Sequence, residues 1–182
     1  MNFKVGDQIV HSVYGIGEII QLDEKVLAGQ TARYYVVQIR DLTLWVPVES
    51  TSESTLRYPT PAGDFEKLFT ILCSPAEPLS DDRLVRRTHL IDLTKGGNLA
   101  SVCQAVRDLT HHRRTKKMNE NDTSTLERLQ SLLLNEWAVS LSISVAQAKH
   151  DLSLLLGDDI TKVKEPFNQN KVPIWQHSSP TN

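Results

Sequence analysis

Pro59-Thr60-Pro61-Ala62-Gly63 divides the chain, because hydrophobic residues recur with a different period on its two sides. Two prolines and a glycine within five residues punctuate the backbone and suit a linker. Before them, short runs rich in β-branched and aromatic residues alternate with turn residues. After them, Phe65, Leu68, Phe69 and Leu72 fall at helical spacing. A period that changes from about 2 to about 3.6 predicts an α+β protein, strands first and helices second.

Upstream of the linker, strands are expected over 8–11, 18–22, 33–39 and 42–48, the last broken near Pro47, with a short fifth strand around Leu56 and Arg57. Gly15 and Gly17 mark a turn, and 23–30 reads as a polar loop containing Gly29. Short strands with turns every 8–12 residues suit a small barrel or sandwich. Trp45 alternates with Leu44 and Val46, so it should face away from both and lie exposed.

Downstream, Asp64 can cap a first helix that ends at Pro75 and Pro78. Ser80 or Asp81 can cap a second, which runs to Lys95 and stops at Gly96-Gly97. Asn98 caps a third, whose apolar face is Leu99, Val102, Cys103, Val106 and Leu109. Ser124-Thr125-Leu126-Glu127 has the form of a capping box and should open a fourth helix with Leu126, Leu129, Leu133 and Trp137 inward. Serines between 140 and 144 should end it, before a last helix over 145–156. Residues 157–182 read as a disordered tail in which Trp175 is a loose aromatic.

With 182 residues, 40% of them hydrophobic, the chain can bury a core. No apolar run approaches the 18 residues or so of a membrane span, and the first residues do not resemble a signal peptide. A cytoplasmic protein without membrane contact is expected. Cys73 and Cys103 lie among apolar residues and read as buried free thiols.

The net charge of −2 is unevenly distributed. Residues 83–117 carry nine Lys/Arg against Asp92 and Asp108, a net +7, and leave −9 for the rest. Arg83, Arg86 and Arg87 share a helix face at spacings of three and four. Arg113, Arg114, Lys116 and Lys117 close the next helix, and the Gly96-Gly97 turn should bring the two groups together. Ordinary surfaces mix both signs, so this segment is the candidate for phosphate contact, which carries affinity but little sequence information.

Signals for catalysis are weak. Gly15-Ile16-Gly17 lacks the third glycine and following helix of a phosphate loop. His111 and His112 are adjacent and cannot share a helix face as metal ligands do. Asp81 and Asp82 suit a helix start. No catalytic residue, cofactor or metal is expected, and the chain is not read as an enzyme.

Several stretches resemble the CarD family of bacterial transcription regulators. They are Phe3-Lys4-Val5-Gly6-Asp7-Gln8-Ile9-Val10-His11, Tyr14-Gly15-Ile16-Gly17, Tyr34-Tyr35-Val36-Val37 and Leu44-Trp45-Val46-Pro47-Val48, in the family's order and spacing. Phe65-Glu66-Lys67-Leu68-Phe69, Arg86-Arg87 and Val102-Cys103-Gln104-Ala105-Val106-Arg107-Asp108-Leu109 continue the resemblance, which covers about residues 1–156. It implies an SH3/Tudor-like β-barrel over 1–60 that pairs an edge strand with the β subunit of RNA polymerase, with Lys25 and Trp45 at the contact. It also implies an all-α domain over 64–156 that touches promoter DNA at the upstream edge of the melting bubble, through its phosphates and minor groove. The protein would then tune open-complex stability, acting as a monomer.

One position departs from the family. Where it commonly carries a minor-groove tryptophan two residues before the arginine pair, this chain has Leu84. Leucine can act as a wedge between bases. Alternatively Leu84 packs inward with Thr88 and Ile91, at core spacing. The competing reading of the whole chain is an adaptor whose basic helices meet an acidic protein partner.

Overall fold

A computed structural model describes residues 2–27, 30–48 and 55–157. Five strands come first: β1 (Gln8–His11), β2 (Gly15–Leu27), β3 (Gln30–Ile39), β4 (Leu42–Pro47) and β5 (Leu56–Arg57). They form one antiparallel sheet in the order β4-β3-β2-β1-β5, so β4 and β5 are its edges. One face packs Phe3, Ile9, Ile19, Tyr35, Val37, Ile39, Val46 and Leu56 into a core. The alternation is the cause, since every second side chain of β3 and β4 points the same way. This is the Tudor-like β domain that the sequence predicts.

The expected polar loop over 23–30 is largely strand instead. Asp23 to Leu27 keep pairing with Tyr34 to Gln30, so β2 and β3 extend as a long hairpin. A two-stranded ribbon with both faces near solvent needs no apolar alternation, and its strands therefore look like a loop in sequence. A register shift between Ile19 and Gln21 marks a bulge at the point where β2 leaves the core.

A single 3₁₀ turn (Ala62–Asp64) leads into five helices: α1 (Phe65–Cys73), α2 (Arg83–Thr94), α3 (Leu99–Thr115), α4 (Glu120–Ser140) and α5 (Val145–Leu155). Their core gathers Phe65, Leu68, Leu72, Leu90, Leu99, Val102, Cys103, Val106 and Leu109 with Leu126, Leu129, Leu133, Trp137, Ala148 and Leu152. Trp137 stacks obliquely on Phe69, ring centroids 4.8 Å apart.

Several helix starts differ from expectation. Asp64 precedes α1 without a capping side-chain bond, and its carboxylate accepts from Lys67 instead. Asp82, not Ser80 or Asp81, caps α2, accepting from the backbone of Leu84 and Val85. Those two N–H groups hold its carboxyl below the usual range. Asn119 caps α4, so Ser124–Glu127 lies one turn inside the helix rather than opening it. Asn98 caps α3 as expected. Cys103 is fully buried, and burial pushes its thiol up to about 12. Cys73 is exposed, against expectation, because it ends α1 on the outer side of Leu72. The tail and Trp175 lie outside the described residues. Among the described residues, no helix is long and apolar enough to cross a membrane.

Sheet and helices are bolted together around Glu136, which is 2% exposed near the C-terminal end of α4. Arg57 of β5 donates Nη1 and Nη2 to its two oxygens at 2.6 and 2.7 Å. Thr60 adds its N–H at 2.9 Å and its hydroxyl at 2.7 Å. Arg57 Nε also reaches the Gly97 carbonyl at 3.1 Å, tying β5 to the turn between α2 and α3. Gly97 has φ +63, and a Cβ there would lie 2.7 Å from Cβ of Ser12. Gly15 (φ +82) meets Leu132 of α4 in the same way, at 2.9 Å. Both positions combine a left-handed backbone with a close approach, and glycine satisfies both.

Arg57→Ala leaves the Glu136 carboxylate buried without its charge partner. The cost should be about 3 kcal/mol, read as a lower denaturant midpoint at unchanged m-value.

His11 supplies a pH-dependent term. It is 8% exposed, and its Nδ1 accepts from the N–H groups of Val13 and Tyr14 at 3.1 and 3.4 Å. Burial lowers its pKa below the usual 6.5. A depressed histidine stabilises the fold fully above the unfolded value and loses that contribution as pH falls below it. The melting temperature should therefore drop as pH falls below 6.5, and the drop should shrink in His11→Asn, which keeps an acceptor and cannot titrate.

Candidate functional site

The basic segment folds into α2, α3 and the turn between them. The two helices are brought together as expected: Lys116, just past the end of α3, pairs with Asp81 at the start of α2, which lowers the Asp81 pKa. The nine cations do not form one patch, however. Arg107 is 8% exposed, bonds Asp108 at 2.8 Å and reaches toward the last carbonyls of α1. Arg114 donates to the Leu156 carbonyl at 2.7 Å, across the end of α5. Cations at helix C-termini meet the negative end of the dipole. Part of the positive charge thus serves helix ends inside the domain.

Arg86 is the largest difference from the sequence reading. It is 5% exposed, and its Nε and Nη2 donate to Asp122 Oδ2 at 3.0 and 2.6 Å. Its Nη1 donates to the carbonyls of Ser80 and Asp81 at 2.5 and 3.3 Å. A guanidinium so enclosed cannot reach a phosphate, and the geometry removes Arg86 from the contact surface. Arg83, Arg87, Arg113 and Lys117 are exposed. His112 is buried beside this network, and burial, with Arg86 nearby, lowers its pKa.

Leu84 does not pack inward. It is 67% exposed, Thr88 is exposed and Ile91 is 54% exposed. The inward positions of α2 are Arg86 and Leu90, so the helix is rotated relative to the apolar stripe. Leu84, Thr88 and Ile91 make an outward line about 10 Å long, with Arg83 and Arg87 beside it. Val85 adds a second exposed apolar side chain at 58%.

On the sheet, Trp45 is 46% exposed while Val46 is 9% exposed, as the alternation predicts. It stands on edge strand β4. Lys25 Nζ sits 3.9 Å from the centre of its ring, and its indole N–H donates to Asp23 at 3.3 Å. Register explains the meeting: β3 pairs Ala32 with Lys25, Tyr34 with Asp23 and Val36 with Trp45, so all three contributors share a face. The cation over the ring holds the indole in one orientation.

Sequence reasoning did not find Asp122 or Glu136. Glu136 falls seven residues after Leu129 and three after Leu133, on the apolar stripe of α4. A carboxylate on a core stripe is the signal, because it must have a partner when buried.

Among the described residues, no group of three or more His, Cys, Asp or Glu is arranged to hold a metal ion. Two family descriptions match the chain: CarD-like/TRCF RID domain over residues 3–58, and CarD, C-terminal domain over residues 67–153. The chain is also similar to YdeB of Bacillus subtilis, whose name proposes it as a transcription factor, with 27% identity over 152 residues, covering 81% of this chain and 97% of YdeB. Sheet, helices and both matches, in one order along one chain, make this protein a member of the CarD family, with a role in transcription.

Proposed function

We propose that this protein joins RNA polymerase to promoter DNA and biases the stability of the open complex. The working division is a polymerase-binding β domain over 1–60 and a DNA-contacting helical domain over 64–156, acting together as a monomer. The observation that carries the reading is α2. An apolar side chain, Leu84, stands in solvent beside Arg83 and Arg87, on a helix tied to the sheet through Gly97, Arg57 and Glu136. An exposed leucine between arginines suits a groove with phosphate walls and stacked bases between them. A partner that is merely acidic would reward the arginines and leave Leu84, Val85 and Ile91 in water.

The β domain contributes tethering. Edge strand β4 offers backbone groups for pairing with a strand of the polymerase β subunit, and Trp45, steadied by Lys25, offers the aromatic anchor. Once β4 is engaged, α2 meets DNA at a raised effective concentration. A modest intrinsic DNA affinity is then sufficient. Arg83, Arg87, Arg113 and Lys117 are the proposed phosphate contacts, with Arg114 and Lys116 beside them serving helix ends.

Trp45→Ala should weaken binding to purified polymerase β subunit about tenfold or more, while thermal melting stays near wild type because the side chain is exposed. Unchanged binding would remove Trp45 from the contact.

Leu84 tests the DNA half. On a given promoter, Leu84→Trp should lengthen open-complex lifetime, having more area to stack on an unstacked base. Leu84→Ala should shorten it. Both should melt within about 0.5 kcal/mol of wild type. Equal lifetimes for all three proteins would show that α2 does not enter the groove.

A further inference from the structure

We infer that Arg86 is a positioning residue for the α2 surface, and that its partner Asp122, an acid, is needed for DNA binding. This rests on the proposed DNA-contacting reading of α2. Of the twelve residues of α2, eight are exposed. Leu90 is buried, and Leu93 and Thr94 are half-buried, all in the second half of the helix. In the first half, which carries Arg83, Leu84 and Arg87, the single buried side chain is Arg86. That half has no apolar anchor, so its placement depends on what holds Arg86.

The holding is specific in geometry. Nε and Nη2 converge on one oxygen of Asp122, and Nη1 collects the carbonyls of Ser80 and Asp81, just ahead of the helix. Asp122 is fixed from its other side. Asn119 donates Nδ2 to the same oxygen at 2.7 Å, and accepts the Asp122 N–H on its own Oδ1 at 2.9 Å. The starts of α2 and α4 are therefore locked by one ion pair, both partners less than a tenth exposed. A planar fork meets this set of acceptors, and a lysine ammonium on its flexible stem cannot reproduce it. Breaking the pair frees the end of the helix that bears Leu84 while leaving the Leu90 end attached.

The two roles open to Arg86 make opposite predictions for charge. Were it a phosphate contact, Arg86→Lys would bind nearly as well as wild type, and Asp122→Asn, which removes a negative charge, would bind as tightly or more tightly. As a positioning residue, both substitutions should weaken binding severalfold.

The test is titration of the full chain with a labelled promoter duplex across a salt series. With about four phosphates neutralised, by Arg83, Arg87, Arg113 and Lys117, the wild-type slope of log K against log salt should be about −3.6. Arg86→Lys and Asp122→Asn should lose affinity at unchanged slope. Arg87→Ala should lose affinity with the slope smaller by about 0.9. Amide hydrogen exchange without DNA should quicken across the first half of α2 in Arg86→Lys and Asp122→Asn, and stay at wild-type rates in Arg87→Ala. Wild-type affinity in Arg86→Lys, or affinity at or above wild type in Asp122→Asn, overturns the inference. Absence of DNA binding by the wild type would sink the DNA reading itself, and the exchange rates would still decide whether Arg86 and Asp122 fix α2.

Discussion

Glu136 is the constraint on which the arrangement depends. A carboxylate placed among Leu133, Trp137 and the rest of the α4 core is costly to desolvate unless its oxygens are occupied. Four hydrogen bonds occupy them, and all four come from β5 and the linker. Satisfying one buried charge thus requires the sheet to sit against the helices in one orientation. The same arginine reaches the carbonyl of Gly97, so the turn after α2 is included in that requirement. An apolar contact would tolerate sliding, whereas a forked ion pair with two added donors tolerates little.

From that lock follows the presentation of α2. Its C-terminal end is held near the sheet by Arg57, which donates to the Gly97 carbonyl, and its N-terminal end by Arg86 against Asp122. Between these points the helix has few buried side chains. Its outer face is therefore available for recognition, while its direction is set by two polar attachments at its ends.

The strands and helices were largely legible in sequence because hydrophobic period reports which face meets a core. Trp45 between Leu44 and Val46 is the clearest case: alternation alone indicated its exposure. The period failed where no core is involved. The outer half of the β2–β3 hairpin looked like a loop because pairing there is carried by backbone hydrogen bonds. On α2, Leu84 and Ile91 formed an attractive stripe, but Leu90 and Leu93 formed another, whose upward continuation is Arg86. Choosing between two stripes on one short helix requires knowing which neighbour is present. Charge counting failed for a related reason. It treats every cation as facing solvent, and it could not see that Arg86 and Arg107 are enclosed or that Arg114 spans the end of α5. The polar locks have a faint signature at most, a charged residue on a core stripe, and the identity of the partner depends on the tertiary fold.

Edge strand β4 has a consequence for the free protein. Unpaired backbone groups that suit a foreign strand equally suit the same strand of another copy, which is the route by which sheet proteins clump. Three features restrain this. The strand is six residues long, and Pro47 at its end offers no N–H. Lys25 lies over Trp45, so two copies approaching through that face would bring their ammonium groups together. A protein that leaves a sheet edge open must also refuse its own copies, and a cation held on the exposed aromatic of that edge does so without closing the edge itself.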